Sequence, residues 1–229
     1  MESSGPVVLF ATPTFDKSVS VDYHTSMLST YAKLWKAGIA CDSYVVAGHQ
    51  WVDVVRNQCV DYFLNHEVKF THLVFIDSDQ GWDANVIERI VRDPHAVVAA
   101  CPPKKSDKLS FHSDGMTGVI EGHLFQAQYA GTGLMSIRRE VFARLDKAHP
   151  DLAELTGSGP YTWPHTPYFQ TGNTKYGKLG EDVFFCRLVR AIGEYIWIDS
   201  DVNFRHFGHK RWEGNLYEHL VKTGVLSVA

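Results

Sequence analysis

Over the first hundred residues, unbroken apolar runs alternate with stretches of helical spacing. The runs at 7–11, 41–47, 71–76 and 96–100 read as buried strands. Between them, 21–37, 52–65 and 84–92 read as helices that bury one face. Within 52–65, Val52, Val55, Cys59, Tyr62 and Phe63 fall at core spacing. The breakers agree with this pattern: Thr12-Pro13-Thr14 ends the first run, Gly38 closes the first helix and Gly48 ends the second strand. Strands alternating with helices predict an α/β fold, a mostly parallel central sheet covered on both faces. In such sheets, ligands bind beyond the carboxyl ends of the strands. Thr12-Pro13-Thr14, Asp77-Ser78-Asp79 and Lys104-Lys105 all fall at such ends.

The second half has a different texture. Residues 117–129 alternate enough to predict a hairpin, and Gly131-Thr132-Gly133 precedes an apolar run at 134–137 and a helix at 139–147. Residues 149–178 are rich in Pro, Gly, Thr, Tyr and Trp; a loop of that length inside a compact domain is usually functional or mobile. Its Tyr161, Trp163, Tyr168 and Phe169 suit a stacking platform for a sugar ring or a small core of the loop's own. Gly180-Glu181-Asp182 opens an apolar helix at 183–192, followed by strands at 195–198 and 202–207 and a short helix at 216–223. There is no internal repeat and no low-complexity linker, so 229 residues read as a single domain.

Charge and composition narrow the function classes. A formal net charge of -4, from 22 Lys+Arg against 26 Asp+Glu, argues against broad nucleic-acid binding. Lys104-Lys105 with Lys108 is the compact basic cluster of the first half. No apolar stretch approaches the roughly 20 residues of a membrane span. The polar start, Met1-Glu2-Ser3-Ser4-Gly5, lacks the basic opening of a secretory signal. Cys41, Cys59, Cys101 and Cys186 form no C-x-x-C pair and read as reduced core residues. A cytoplasmic location follows as the expectation, the host cytoplasm if the source is viral.

The chemistry concentrates at Asp77-Ser78-Asp79. Residues two apart on a strand point the same way, so both carboxylates can aim at one point beyond the strand end. Two like charges converging there repel unless a cation lies between them. Mg²⁺ or Mn²⁺ fits oxygen ligands and brings substrate phosphates with it. The bland alternative is a turn, because Asp and Ser are common at strand ends. Asp199-Ser200-Asp201 repeats the tripeptide later in the chain. The first copy is the better candidate, with a long buried strand before it and a helix after it. In His206-Phe207-Gly208-His209, His206 is the stronger candidate to complete a metal shell that two carboxylates begin, because a short strand would carry it and Gly208 permits close approach; His209 is the alternative. Glu181 and Asp182 either stabilise a helix N-terminus or act as acid and base toward a hydroxyl. Lys104 and Lys105 suit a diphosphate as point charges. Arg56 with Asn57 interrupts a buried pattern and suits a phosphate, a base or an acid partner.

Taken in order, these segments resemble a glycosyltransferase of the GT-A fold, and more narrowly the compact bacterial, phage and large-virus enzymes of that fold. Residues 7–14 are similar to the family's first strand and nucleotide loop, and Val55-Arg56-Asn57 to its Arg-Asn helix. The run T-H-L-V-F-I-D-S-D-Q-G-W at 71–82 resembles the donor strand with its D-x-D motif. Residues 100–104 resemble a strand and P-x-K loop, 131–141 the G-x-G segment, 180–186 the E-D-x-x-F-C helix and 206–208 the late H-x-G. The resemblance implies a single Rossmann-like GT-A domain with a nucleotide-sugar-binding half at about 1–105. A smaller, antiparallel acceptor-side half would occupy about 106–229. It implies donor contacts from Thr12, Pro13, Thr14, Arg56, Asp77, Ser78, Asp79, Lys104 and Lys105. Asp77, Asp79 and His206 would hold Mn²⁺ or Mg²⁺, and Asp182, beside Glu181, would sit near the acceptor hydroxyl.

The activity so implied is metal-dependent transfer of a hexose or pentose from a nucleotide-sugar, with UDP favoured, to a hydroxyl. Residues 156–177 match no family pattern, so a glycan, protein or nucleic-acid acceptor stays open. A nucleotidyltransferase is an alternative, but it needs a Gly- and basic-rich loop after the first strand, and Phe15-Asp16-Lys17-Ser18 is sparse in both. A metal-dependent hydrolase and a non-catalytic nucleotide-sugar or glycan-binding module are the others.

Overall fold

The structure, a computed structural model, describes residues 5–48, 51–111, 116–157, 163–174 and 177–226. Tyr161 lies outside the described residues. The chain runs β1 (Val7–Thr14), α1 (Val21–Lys36), β2 (Ala40–Ala47), α2 (Val52–Asn65), β3 (His72–Ile76), β4 (Gln80–Gly81), α3 (Val86–Arg92) and β5 (Val97–Ala100). It continues β6 (Met116–Glu121), β7 (Leu124–Ala127), β8 (Leu134–Arg138), α4 (Arg139–Ala148), α5 (Asp151–Glu154), β9 (Gly172–Thr174) and β10 (Gly177–Leu179). It closes with α6 (Glu181–Ala191), β11 (Ile196–Asp199), β12 (Asn203–Phe207), β13 (Arg211–Asn215) and α7 (Leu216–Lys222).

The main sheet has the order β2-β1-β3-β8-β5-β11-β7-β6. β1 pairs in parallel with β2 and β3, as β5 does with β11. β8 lies antiparallel between β3 and β5, and β7 and β6 add an antiparallel edge. The expected mostly parallel sheet is therefore mixed. The reason is local: the chain enters β8 from the rim where β3 and β5 end. Each central strand serves two cores by alternation. Leu9, Leu73, Phe75 and Val97 pack with α2, α4, α6 and α7 on one face. Val8, Phe10, Val74 and Val98 pack with α1 and α3 on the other.

Local chemistry explains the element ends that matter for the rim. Ser20 caps α1, its side chain accepting from the Tyr23 amide at 3.0 Å, and Asp22 complements the dipole of the first turn. Gly38, at φ +70°, closes the same helix in a conformation that other residues resist. The last apolar residue of β3 is Ile76, and residues 77–79 turn out of the sheet.

A second sheet, β13-β12-β4, stands over that turn. It pairs His206 with Gln80 and Arg205 with Gly81, and the Phe207 amide donates to the Asp79 carbonyl at 2.8 Å. This small sheet was not visible in the sequence, because β4 is two residues long. The four cysteines are free, and burial pushes the Cys59 and Cys186 thiols up to about 12. Among the described residues, no helix is long and apolar enough to cross a membrane.

His72, at the start of β3, is buried with its Nε2 unpartnered. Burial first, and the Arg138 charge second, lower its pKa to about 4. The unfolded chain therefore binds the proton more readily between about pH 6.5 and pH 4, so stability falls as pH drops through that window. The loss approaches about 3 kcal/mol at its acid end. In His72→Leu, urea unfolding at pH 7 and at pH 4.5 should differ by less than in the parent chain.

Candidate active site

Arg56 is the centre of the rim. It lies on α2 and is 3% exposed. Its Nη2 donates to Asp77 Oδ1 at 3.1 Å, and its Nε lies 3.5 Å from Glu181 Oε1. Burial works against the charge on Arg56, and the two carboxylates outweigh it. Asp77 follows β3, and Glu181 begins α6, so one guanidinium ties three elements together. Burial raises the Glu181 carboxyl above its ordinary value; Arg56 opposes this and Asp182 adds to it. The neighbouring Asn57 faces away from the rim, exchanging two hydrogen bonds with the Phe169 backbone at 2.8 and 2.9 Å.

Asp77 and Asp79 do not share a strand, so alternation does not align them. Asp77 turns to Arg56, and Asp79 turns to Lys105 and His206. Burial pushes the Asp79 carboxyl up, but His206 and Lys105 outweigh it and hold it below the usual carboxylate range. His206 Nδ1 meets the Pro103 carbonyl at 2.7 Å, and a carbonyl only accepts, so Nδ1 carries a proton. Nε2 then faces Asp79 Oδ1 at 3.6 Å. A second proton on the ring, or a cation between the two atoms, makes that approach favourable. Carboxylate oxygen plus an imidazole oriented through its other nitrogen suits Mn²⁺ and related divalent ions. Among the described residues, no three His, Cys, Asp or Glu side chains are already gathered around one point.

The cavities follow this division. A cleft of about 380 Å³ runs past Pro13, Thr14, Phe15, Val52, Asp77 and Asp79. A second, of about 470 Å³, lies on the other side of Ser78 and Asp79, against Ser18, Ser20, Lys105 and Phe207. A smaller one, of about 220 Å³, lies behind Asp77 and reaches Thr132, Glu181, Asp182 and His206. Pro13, Thr14, Ser78, both aspartates, Arg56, Glu181, Asp182, Lys105 and His206 are thus brought to one rim.

Three of the sequence candidates are not. The Thr12 hydroxyl is buried against the Tyr23 hydroxyl at 2.7 Å. Lys104 lines none of these three cavities, and its amide donates to the Ser110 carbonyl. His209 lies edge-on to Trp212, with ring centroids 4.9 Å apart. The second D-S-D is structural: Asp199 is buried and held by Arg89 at 2.7 Å, and the Ser200 hydroxyl donates to the His123 carbonyl. Of the loop aromatics, Tyr168 and Phe169 are buried in a core, with Phe169 stacked on Phe185 at 4.5 Å.

Gln80 and Thr132 are the residues that sequence reasoning missed. Gln80 follows the acidic turn directly, and Thr132 stands inside Gly131-Thr132-Gly133. A Cβ at Gly133 would collide with the Gln80 side chain and press on Asp77 Oδ2 at 3.3 Å. The glycine is what lets β8 approach, and the Asp77 amide donates to the Gly133 carbonyl at 2.9 Å.

No protein-family model and no curated protein matches the chain. Among solved structures, it is similar to A197 from STIV. That match has a TM-score of 0.53 and 18% identity, and it covers 92% of this chain and 91% of that one. The two share a fold. A slighter likeness, with a TM-score of 0.36 and 11% identity, covers 70% of this chain and 72% of a glycosyltransferase involved in the glycosylation of the major capsid of PBCV-1.

Removing the guanidinium should expose the cost of the acid pair it holds. In Arg56→Met, Asp77 and Glu181 lose their counter-charge, at about 3 kcal/mol of stability. Glu181 then holds a proton more tightly in the folded state than in the unfolded one. The penalty is relieved at low pH and grows as pH rises through the folded value. Urea unfolding should show a larger deficit at pH 8 than at pH 5; an equal deficit at both would remove Glu181 from the clamp.

Proposed function

We propose that the chain is a metal-dependent glycosyltransferase of the GT-A type. It would move a hexose or pentose from a UDP-sugar to an acceptor hydroxyl. The observation that carries this reading is the meeting of His206 with Asp79, at the rim where Asp77 and the Glu181-Asp182 helix start also face a cavity. The order of motifs along the chain supports it.

In this reading Pro13, Thr14, Phe15 and Val52 flank the base and ribose. The Phe15 ring is 73% exposed at the mouth of the cleft, open to a planar partner. Asp77, Asp79 and His206 would hold Mn²⁺ or Mg²⁺, whose charge offsets that of the departing diphosphate. Lys105, paired with Asp79, adds a point charge on the same side. Arg56 keeps Asp77 and Glu181 at a set separation, so the rim is organised before substrate arrives. Asp182 Oδ1 accepts from the Val183 amide at 2.7 Å. That bond holds the carboxylate, and its Oδ2 has room over Gly131, where a Cβ would lie 3.8 Å away. Asp182 can thus accept the proton of an acceptor hydroxyl if the reaction inverts, or orient that hydroxyl if it retains.

UDP-, GDP- and CDP-sugars tested by thermal shift, with and without Mn²⁺, should give metal-dependent stabilisation by the uridine class. Asp79→Ala should abolish the metal-dependent part and lower turnover roughly a hundredfold or more. Metal-dependent binding and turnover retained in that variant would reject the ligand assignment. Binding without turnover across an acceptor panel would favour a non-catalytic module.

A further inference from the structure

The cavity behind Asp77 has a wall that is chemically unfinished. Arg56, Gln80 and Thr132 line it, and they are 3%, 1% and 2% exposed. Each leaves one buried polar atom without a hydrogen-bond partner: Arg56 Nη1, Gln80 Oε1 and Thr132 Oγ1. Buried polar atoms are nearly always paired. Three orphans around one cavity are a donor, an amide group and a hydroxyl that can both donate and accept. If side-chain rotation turned these groups into the cavity, the complementary chemistry would be that of several hydroxyls on one ring.

The charge on the same wall is one-sided. Asp77, Glu181 and Asp182 contribute three carboxylates against the guanidinium of Arg56, and the charge of a divalent ion on Asp77 and His206 would be taken up by the donor's diphosphate. Arg56 is already shared by Asp77 and Glu181, so it is not a free cation for a substrate carboxylate. Its remaining N–H suits a neutral oxygen. A ligand carboxylate placed here would meet like charge in a partly desolvated space.

We propose that this cavity takes a neutral, polyhydroxylated sugar ring, contacted by Gln80 and Thr132, and that its carboxylates exclude uronic sugars. The inference rests on the glycosyltransferase reading, since the ring would be the sugar of the donor.

Matched pairs test it, because they differ only at C6. Binding of UDP, UDP-glucose, UDP-glucuronate, UDP-galactose and UDP-galacturonate is measured by calorimetry with Mn²⁺ in excess. GDP-mannose and GDP-mannuronate replace them if guanine proves to be the base. At least one neutral sugar should bind about tenfold or more tightly than its uronate. Asp182→Asn should narrow that gap. Thr132→Val keeps the side-chain shape, and it should weaken the neutral nucleotide-sugar several-fold while leaving the bare nucleotide unchanged.

Uronates that bind as tightly as their neutral partners would overturn the proposal. So would a Thr132→Val variant that weakens bare nucleotide and nucleotide-sugar alike. If no nucleotide binds with or without metal, the glycosyltransferase reading itself falls and this inference with it. That outcome is distinct from nucleotide binding without sugar discrimination, which sinks the inference alone.

Discussion

A guanidinium removed from water between two carboxylates sets the geometry of the rim. Arg56 has lost almost all solvent, and such burial is costly unless paired charge and hydrogen bonds compensate. Asp77 and Glu181 supply that compensation through its Nη2 and Nε. Neither acid can move far without stranding the other's partner. The clamp therefore holds the end of β3, the face of α2 and the start of α6 in one relation. The acid beside Asp77 in sequence, Asp79, is left free to face Lys105 and His206.

Two antiparallel intrusions complete the rim. β8 runs against β3 and β5, so its entry loop, Gly131-Thr132-Gly133, arrives where those strands end. β12 lies against β4, and this carries His206 to the residue that follows Asp79. Backbone hydrogen bonds fix both approaches, from the Asp77 amide to Gly133 and from the Phe207 amide to Asp79. The side chains of the site are therefore registered by main-chain pairing, which is more rigid than a loop alone would be.

The two D-S-D tripeptides show how the same residues take opposite roles. Asp199 ends a buried strand, and the Arg89 fork meets it there. Ser200 bonds the His123 carbonyl, and its own carbonyl accepts from Tyr217. That copy closes a corner among α3, the β6–β7 turn and α7. The first copy ends a strand at the open rim, where its acids meet cations and cavities.

The strand-and-helix alternation, the α2 boundaries and the position of the first acidic turn were legible in the sequence, because each rests on local periodicity and breakers. The aim of Asp77 and Asp79 was not legible, since β3 closes at Ile76 and strand alternation stops short of both. The sequence favoured His206 over His209 on its short strand, whereas that Lys105 rather than Lys104 faces Asp79 turned on tertiary contact. Thr12 and Tyr23 were joined by the packing of α1 on β1, which no local pattern records. Gln80 and Thr132 lie over fifty residues apart in two separate motifs; they share a wall only because β8 enters the sheet backward. Periodicity reports which face of an element is buried, and tertiary contact alone decides which buried faces meet.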